Sequence, residues 1–257
     1  MNRTALIVAL GLAAVVGVIF GLFPQLDLMI SAPFEPLSVG GNNFGLHLNP
    51  SILLARNIGL WIGTAIIIPV VAALAFKLLL PRRRLLLPGR AILFLMTTLA
   101  LGPGLVANVI LKDHWGRPRP IDVTQFGGDQ HFVAWWDPRG DCPSNCSFVS
   151  GDVSGAMWTI APAALVPPPW RALAYGAALA LGIGMAALRI VAGAHFFSDT
   201  VFAGVFTFLI IWAVHGLIYR WPRTRLSDEG VQHAIERLAR PSHDFIAGLL
   251  RKRKTEL

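Results

Sequence analysis

Charged residues are scarce in this chain of 257 residues, since Asp, Glu, Lys and Arg together make up only 14% of it. A soluble domain usually carries about 25%, so the composition argues against a soluble protein. Hydrophobic residues make up 54% of the chain. This balance predicts an integral membrane protein.

Acidic residues are fewer than basic ones, 14 against 22, which gives a net charge of +8. Such an excess can indicate a nucleic-acid partner, but the positions of the charges indicate a membrane instead. With the amino terminus in the cytoplasm, sixteen Lys and Arg residues fall on the cytoplasmic side and six on the other. Multi-pass proteins show this asymmetry. The sequence therefore predicts no nucleic-acid partner, membrane lipids around the chain and both termini in the cytoplasm.

Cysteine is rare as well, and both residues, Cys142 and Cys146, lie in one connecting loop opposite the basic loops. An oxidising compartment such as a bacterial periplasm favours a disulfide between them, and two free thiols remain the alternative. A zinc site would need two further ligands, and no recognised spacing supplies them. The sequence predicts no metal and no cofactor.

Long apolar stretches account for most of the chain. A membrane helix needs about 20 apolar residues, and six stretches meet or approach that length: 4–23, 57–80, 91–111, 151–166, 172–188 and 200–219. They predict an all-α fold, a bundle of six transmembrane helices over residues 1–220. A basic, amphipathic cytoplasmic tail is expected over 221–257.

Polar residues cluster at the edges of these spans, and alternation of the spans places them all on the non-cytoplasmic side. Lys112, Arg119 and Arg189 are three cations that are costly to bury near a bilayer unless an anion joins them. Phosphate suits them, because Arg offers a planar fork and Lys a point charge. Ser150 and Gly151 begin a span, where free backbone N–H groups favour the same anion.

His195 and Asp199 are four residues apart, which is one helical turn. The Asp199 carboxylate can then accept a hydrogen bond from one imidazole nitrogen while the other nitrogen faces the phosphate. This pairing predicts a nucleophilic histidine that is oriented by a carboxylate.

The three motifs resemble those of the type 2 phosphatidic acid phosphatase (PAP2) family over residues 57–219. The family pattern is Lys, six residues, Arg-Pro; then Ser-Gly-His; then Arg, five residues, His, three residues, Asp. The resemblance implies a metal-independent phosphatase in which His195 attacks phosphorus. It also implies a phosphohistidine intermediate that water hydrolyses.

Asp152 departs from this pattern, because the family has a His there that protonates the leaving oxygen. An Asp with an ordinary pKa near 3.9, placed beside three cations, is a poor general acid. It could orient Lys112 or Arg119 or hold a water, while His114 or His131 supplies the proton. Alternatively, the leaving group needs no proton, as with a diphosphate. An acidic residue here also resembles a bacterial subgroup associated with lipid A phosphatases.

The predicted substrate is a phosphorylated lipid at the periplasmic face of the bacterial inner membrane. Lipid A, phosphatidylglycerol phosphate and undecaprenyl diphosphate lead the candidates. A phosphotransferase and an inactive lipid-binding relative are the alternatives, although His195 and Asp199 argue against a pure binder. The role of Arg117, as a surface residue or as a contact near the site or a headgroup, stays open, and so does the oligomeric state.

The charge distribution makes a testable prediction about topology. In a chain whose Cys142 and Cys146 are replaced by Ser, an impermeant thiol reagent applied to intact cells should label Asp129→Cys. It should not label Arg83→Cys or Lys252→Cys, because the basic segments face the cytoplasm. The opposite labelling pattern would invert the topology.

Overall fold

The computed structural model describes residues 2–35 and 44–255, with side chains as far as residue 241. The Gly-Gly-Asn-Asn run at 40–43, which the sequence predicts as a turn, lies outside the described residues. Within the described ranges the fold is helical, and the β pairing there is an isolated bridge between Val123 and Gln130. The all-α prediction is confirmed for this part of the chain.

The main helices follow one another with short connections except after α2 and α4. They are α1 (Arg3–Leu22), α2 (Gln25–Ser31), α3 (Pro50–Leu79), α4 (Gly89–His114), α5 (Gly151–Met157), α6 (Ile160–Leu165), α7 (Pro168–Val191), α8 (Phe197–Arg220) and α9 (Asp228–Thr255). Among the described helices, α1, α3, α4, α7 and α8 are long and apolar enough to cross a membrane. The chain is therefore a multi-pass membrane protein, and these five helices match five of the six predicted spans.

The predicted fourth span, 151–166, is not one long helix but two short ones, α5 and α6. The chain turns at Trp158 and Thr159 between them. Pro162 explains the break, since it has no N–H to donate to the carbonyl of Trp158, and its ring clashes with that carbonyl in a continuous helix. The six-span count is therefore not established by helix length.

Contacts divide the chain into two compact units, and every candidate site residue lies in the first, Met1–Gly63 with Thr98–Ala213. Its core contains Phe148 and Phe202, whose rings lie 5.8 Å apart. Trp135, from the long loop after α4, stacks 4.3 Å from Phe202 and donates a hydrogen bond to the carbonyl of Gly17 at 3.2 Å. That loop is thus anchored to α1 and α8.

The second unit, Thr64–Thr97 with Val214–Leu257, contains the start of the tail helix α9. Lys77 is fully buried there, and its ammonium group donates to Glu236 of α9 at 2.5 Å and to two backbone carbonyls. Arg90 pairs with Asp228, at the first turn of α9, at 3.0 Å. These ion pairs bind α9 to its own unit. The division of the chain at residue 220 stays a prediction.

Candidate active site

The residues of the three sequence motifs meet around His195, whose side chain is buried between α7 and α8. Arg189 ends α7, Lys112 lies in the last turn of α4, and Arg119 follows in the loop. The charges of all three act on the His195 ring. The structure thus brings together the cations that the sequence predicts for phosphate, although they lie far apart along the chain.

Asp152 lies in the first turn of α5 and is bound by two arginines. Arg56 of α3 donates from Nε and a terminal nitrogen to its two oxygens, at 2.6 and 3.2 Å. The Nε atom of Arg189 lies 3.2 Å from the same carboxylate. Two guanidinium groups favour its ionised form, so this carboxylate is held as a counterion. This geometry agrees with the sequence argument that Asp152 is a poor acid.

Arg56 is a site residue that the motifs did not predict, because it lies 96 residues from Asp152. The signal that could have found it is its position near the start of an apolar helix, where an ionisable residue usually has a functional partner. With Arg56, four cations lie around Asp152 in this part of the site, and Asp122 also acts on Arg119. An anionic ligand would therefore be attracted to it.

The His195 imidazole is oriented by a backbone carbonyl and not by Asp199, as the sequence had suggested. Its Nδ1 lies 2.7 Å from the carbonyl oxygen of Ser147. A carbonyl can only accept, so Nδ1 carries the proton and Nε2 of the neutral ring has the free lone pair. Asp199 acts indirectly, since its carboxylate accepts from the Ser147 hydroxyl at 2.5 Å and from the Phe196 N–H at 2.9 Å.

His195 is held in the neutral form by its surroundings. Burial lowers the pKa of His195 well below its ordinary value, and the charges of Arg189, Arg119 and Lys112 lower that pKa further. The hydrogen bond to Ser147 acts in the opposite direction but is weaker. A neutral imidazole at pH 7 is the form that a nucleophile needs.

Arg117 is fully buried, so the reading of it as a surface residue is wrong. It donates to Asp27 of α2 at 2.8 Å, to Ser198 of α8 at 2.8 Å and to Asp199. Its guanidinium plane also lies over the Phe196 ring, 4.5 Å from the centroid. Arg117 therefore joins three separate segments of the first unit.

Asp27, which the sequence reasoning missed, completes this cluster. Its carboxylate accepts from the Ser198 N–H at 3.0 Å and from the Ser198 hydroxyl at 2.5 Å, besides Arg117. A lone acid in an otherwise apolar stretch is the signal that could have identified it. Two carboxylates, one guanidinium and one hydroxyl thus satisfy one another away from water.

Ser150 and Gly151 open α5 as the sequence predicts. The Ser150 hydroxyl oxygen caps the helix by accepting from the Val153 N–H at 3.4 Å. Gly151 packs directly against the Asn108 side chain of α4, where a Cβ atom would clash. The start of α5 can therefore lie close to α4, with its N–H groups near Asp152.

The two histidines considered as proton donors have other partners. His114 is bonded through Nδ1 to carbonyls of its own helix, and the exposed His131 pairs with Asp141 at 2.9 Å. Neither acts on His195.

Within the loop between Lys112 and Ser150, a disulfide joins Cys142 to Cys146, as one sequence alternative had it. Its backbone returns to the first motif, because the Cys146 N–H donates to the Lys112 carbonyl at 2.8 Å and Arg119 donates to the Asn145 carbonyl at 2.7 Å. The disulfide loop therefore holds Arg119 near the end of α4.

Comparison with known proteins gives consistent matches. The sequence profile of the PAP2 superfamily matches residues 91–225. The lipid A 4'-phosphatase of Francisella tularensis subsp. novicida is 35% identical over 225 residues, 86% of this chain and 98% of that protein. Lipid A 4'-phosphatases of Rhizobium leguminosarum and Rhizobium etli are 43% and 44% identical over 45% of this chain, and over 49% and 44% of their own lengths. No solved structure matches.

Replacing Arg117 tests the buried cluster. Arg117→Leu leaves the carboxylates of Asp27 and Asp199 buried without their cation, which should cost about 3–5 kcal/mol of stability. Thermal unfolding of the purified protein in detergent should show a large fall in Tm, and a smaller fall for Arg117→Lys. The exposed Arg139 of the same loop provides the control, and equal Tm values for Arg117→Leu and Arg139→Leu would contradict the assignment.

Proposed function

Because this chain belongs to the PAP2 superfamily and is a membrane phosphatase, we propose that it removes phosphate from a lipid at the periplasmic face of the bacterial inner membrane. One observation carries the proposal: three cations from two of the motifs surround a buried, neutral histidine. Cations alone would suit any anion binder, but a histidine with a free lone pair adds a nucleophile. Phosphoryl transfer requires both.

The proposed topology has six crossings, with α5 and α6 together as the fourth and both termini in the cytoplasm. Lys112 ends α4 and Arg189 ends α7, and both act on His195. The ends of α4 and α7 therefore belong on one side of the membrane, so the chain has to return between them. Since α5 and α6 are the helical segments available there, and are largely buried, they support a short broken crossing, with the tail over 221–257 in the cytoplasm.

The proposed reaction begins when the lipid phosphate binds between Lys112, Arg119, Arg189 and the first N–H groups of α5. The cations neutralise the phosphate charge and hold phosphorus in line with Nε2 of His195. The Nε2 lone pair forms a bond to phosphorus while the bond from phosphorus to the lipid oxygen breaks. Water then attacks the phosphohistidine, releasing phosphate and restoring the neutral imidazole.

The leaving oxygen takes its proton from water or needs none. Asp152 is bound by Arg56 and Arg189, and it therefore positions the two arginines instead of donating a proton. A carboxylate in this place also stops the cations from repelling one another before substrate binds. A leaving oxygen that is unstable as an anion, such as the sugar oxygen of a phosphomonoester, would take that proton from water.

Lipid A is the substrate that the relatives favour, because the Francisella protein and both Rhizobium proteins are named lipid A 4'-phosphatases, and the Francisella protein aligns over nearly its whole length. The other two lipids predicted from the sequence serve as competitors in the same assay. A phosphotransferase would pass the phosphoryl group to another lipid, so its product distinguishes it.

A panel of lipid phosphates tests this function. Purified protein in detergent should release free phosphate from lipid A, with and without a chelator. Brief incubation with ³²P-labelled lipid should leave acid-labile label on the wild-type protein. His195→Ala should lose both signals, whereas His131→Ala, at an exposed histidine, should keep them. Near-normal release by His195→Ala would remove it as the nucleophile, and label on an acceptor lipid would indicate transfer.

The Arg56–Asp152 pair gives a separate prediction. If the two side chains act together, Asp152→Asn and Arg56→Gln should each lower kcat/KM. The kcat/KM of the double variant should then be no lower than that of the less active single variant. The pH–rate profile of Asp152→Asn should keep the wild-type shape, because no proton donor is lost. Asp137→Asn, at an exposed ion pair, is the control. An alkaline limb present in wild type and absent from Asp152→Asn would make Asp152 the acid.

A further inference from the structure

A cleft of about 920 Å³ lies beside the candidate active site, between α1, the α5–α6 pair, α7 and α8. All of its lining residues belong to the first unit. Its volume is in the range of small-molecule and lipid sites and not of packing defects. The catalytic proposal above makes no use of it.

One end of the cleft reaches the phosphate-binding residues. Val153 and Ile190 line it, and they directly follow Asp152 and Arg189 in the sequence. From Ile190 the α7 wall continues to Tyr175, fifteen residues earlier, or roughly 22 Å at the helical rise. The cleft is therefore a long channel that begins at the charged site and runs along the helices.

The walls of the cleft are almost entirely apolar, and the few polar groups are mostly engaged elsewhere. The Thr200 hydroxyl donates to the Phe197 carbonyl at 2.8 Å, and the Asn2 side chain accepts from the Ala5 N–H at 3.0 Å. The Tyr175 hydroxyl, at the end far from the site, has no hydrogen-bond partner among the described residues. Such a surface suits hydrocarbon and offers few contacts for a second headgroup.

The cleft exists because α1 packs along only part of its length. Its outer part is buried at Val16 and Phe20 within the core. Its first half lines the cleft, where Val8 of α1 and Ile183 of α7 are 65% and 67% exposed. In a membrane, these exposed side chains would face lipid hydrocarbon, so a chain could enter from the side.

We propose that one hydrocarbon chain of the phosphorylated lipid substrate occupies this cleft while its phosphate lies beside Arg189. The inference rests on the proposed lipid phosphatase function and adds the site for the chain. It gives α1 a role in substrate recognition, although α1 precedes the 91–225 segment that matches the PAP2 superfamily. Continuity with the charged site identifies the occupant, since a lipid held by its phosphate already has its hydrocarbon near Val153 and Ile190.

An extended hydrocarbon chain is narrow and suits a long channel of this volume.

Filling the cleft tests the proposal. Ala187 of α7 and Ala9 of α1 line it, and Ala187→Trp and Ala9→Trp place a large ring inside. For a long-chain lipid phosphate, kcat/KM should fall by about tenfold or more, because displacing even two methylene groups from apolar contact corresponds to a change of that size. For the water-soluble p-nitrophenyl phosphate, kcat/KM should stay at the wild-type value, since the charged site is unchanged.

Matched controls lie on the same two helices. Ala180→Trp of α7 and Ala14→Trp of α1 add the same ring at exposed positions outside the cleft, and both should behave as wild type on both substrates. If wild type releases lipid phosphate but the cleft variants match these controls, the chain site is overturned and the phosphatase function stands. Equal losses on both substrates would also overturn it. No lipid hydrolysis by wild type would reject the function and the chain site together.

Discussion

The buried ion pairs of Arg117 are the interaction on which the rest of the site depends. A charge removed from water is costly unless it is paired and hydrogen-bonded, and here one guanidinium meets the carboxylates of Asp27 and Asp199 with no exposure to solvent. These partners come from α2, from the loop after α4 and from the start of α8. Moving any one of the three segments would leave a buried charge without its partner. The cluster therefore constrains them to a single arrangement.

The Arg117 cluster fixes the orientation of His195 through hydrogen bonds of Ser147. The Ser147 hydroxyl donates to Asp199, and the Ser147 carbonyl accepts from Nδ1 of the His195 imidazole. Asp199 thus holds Ser147, and Ser147 fixes the tautomer of His195. Because Asp199 is already neutralised by Arg117, it is not free to share charge directly with the ring. The imidazole then stays neutral, and the positive charge around it comes from Lys112, Arg119 and Arg189.

The group of cations around Asp152 differs from the Arg117 cluster in its charge balance. There the cations outnumber the anions, since Lys112, Arg119, Arg189 and Arg56 lie around Asp152, with Asp122 also acting on Arg119. The Arg117 cluster has two carboxylates to one guanidinium and satisfies them with hydrogen bonds, whereas the cations around Asp152 are in excess and would attract an added anion. Asp152 limits the repulsion in the meantime. The cleft nearby has apolar walls, so the residues around Asp152 would bind a charged group and the cleft a hydrocarbon chain.

The sequence alone determined the membrane class, five of the long apolar helices and the residue types of the candidate site. Hydropathy and spacing along a helix are local properties, so the positions of Arg189, His195 and Asp199 could be read without a fold. Only the tertiary structure decided their partners. Ser147 lies 48 residues from His195, and Arg56 lies 96 residues from Asp152. Contacts between such distant residues depend on how the helices pack, and the same packing made Arg117 a buried residue.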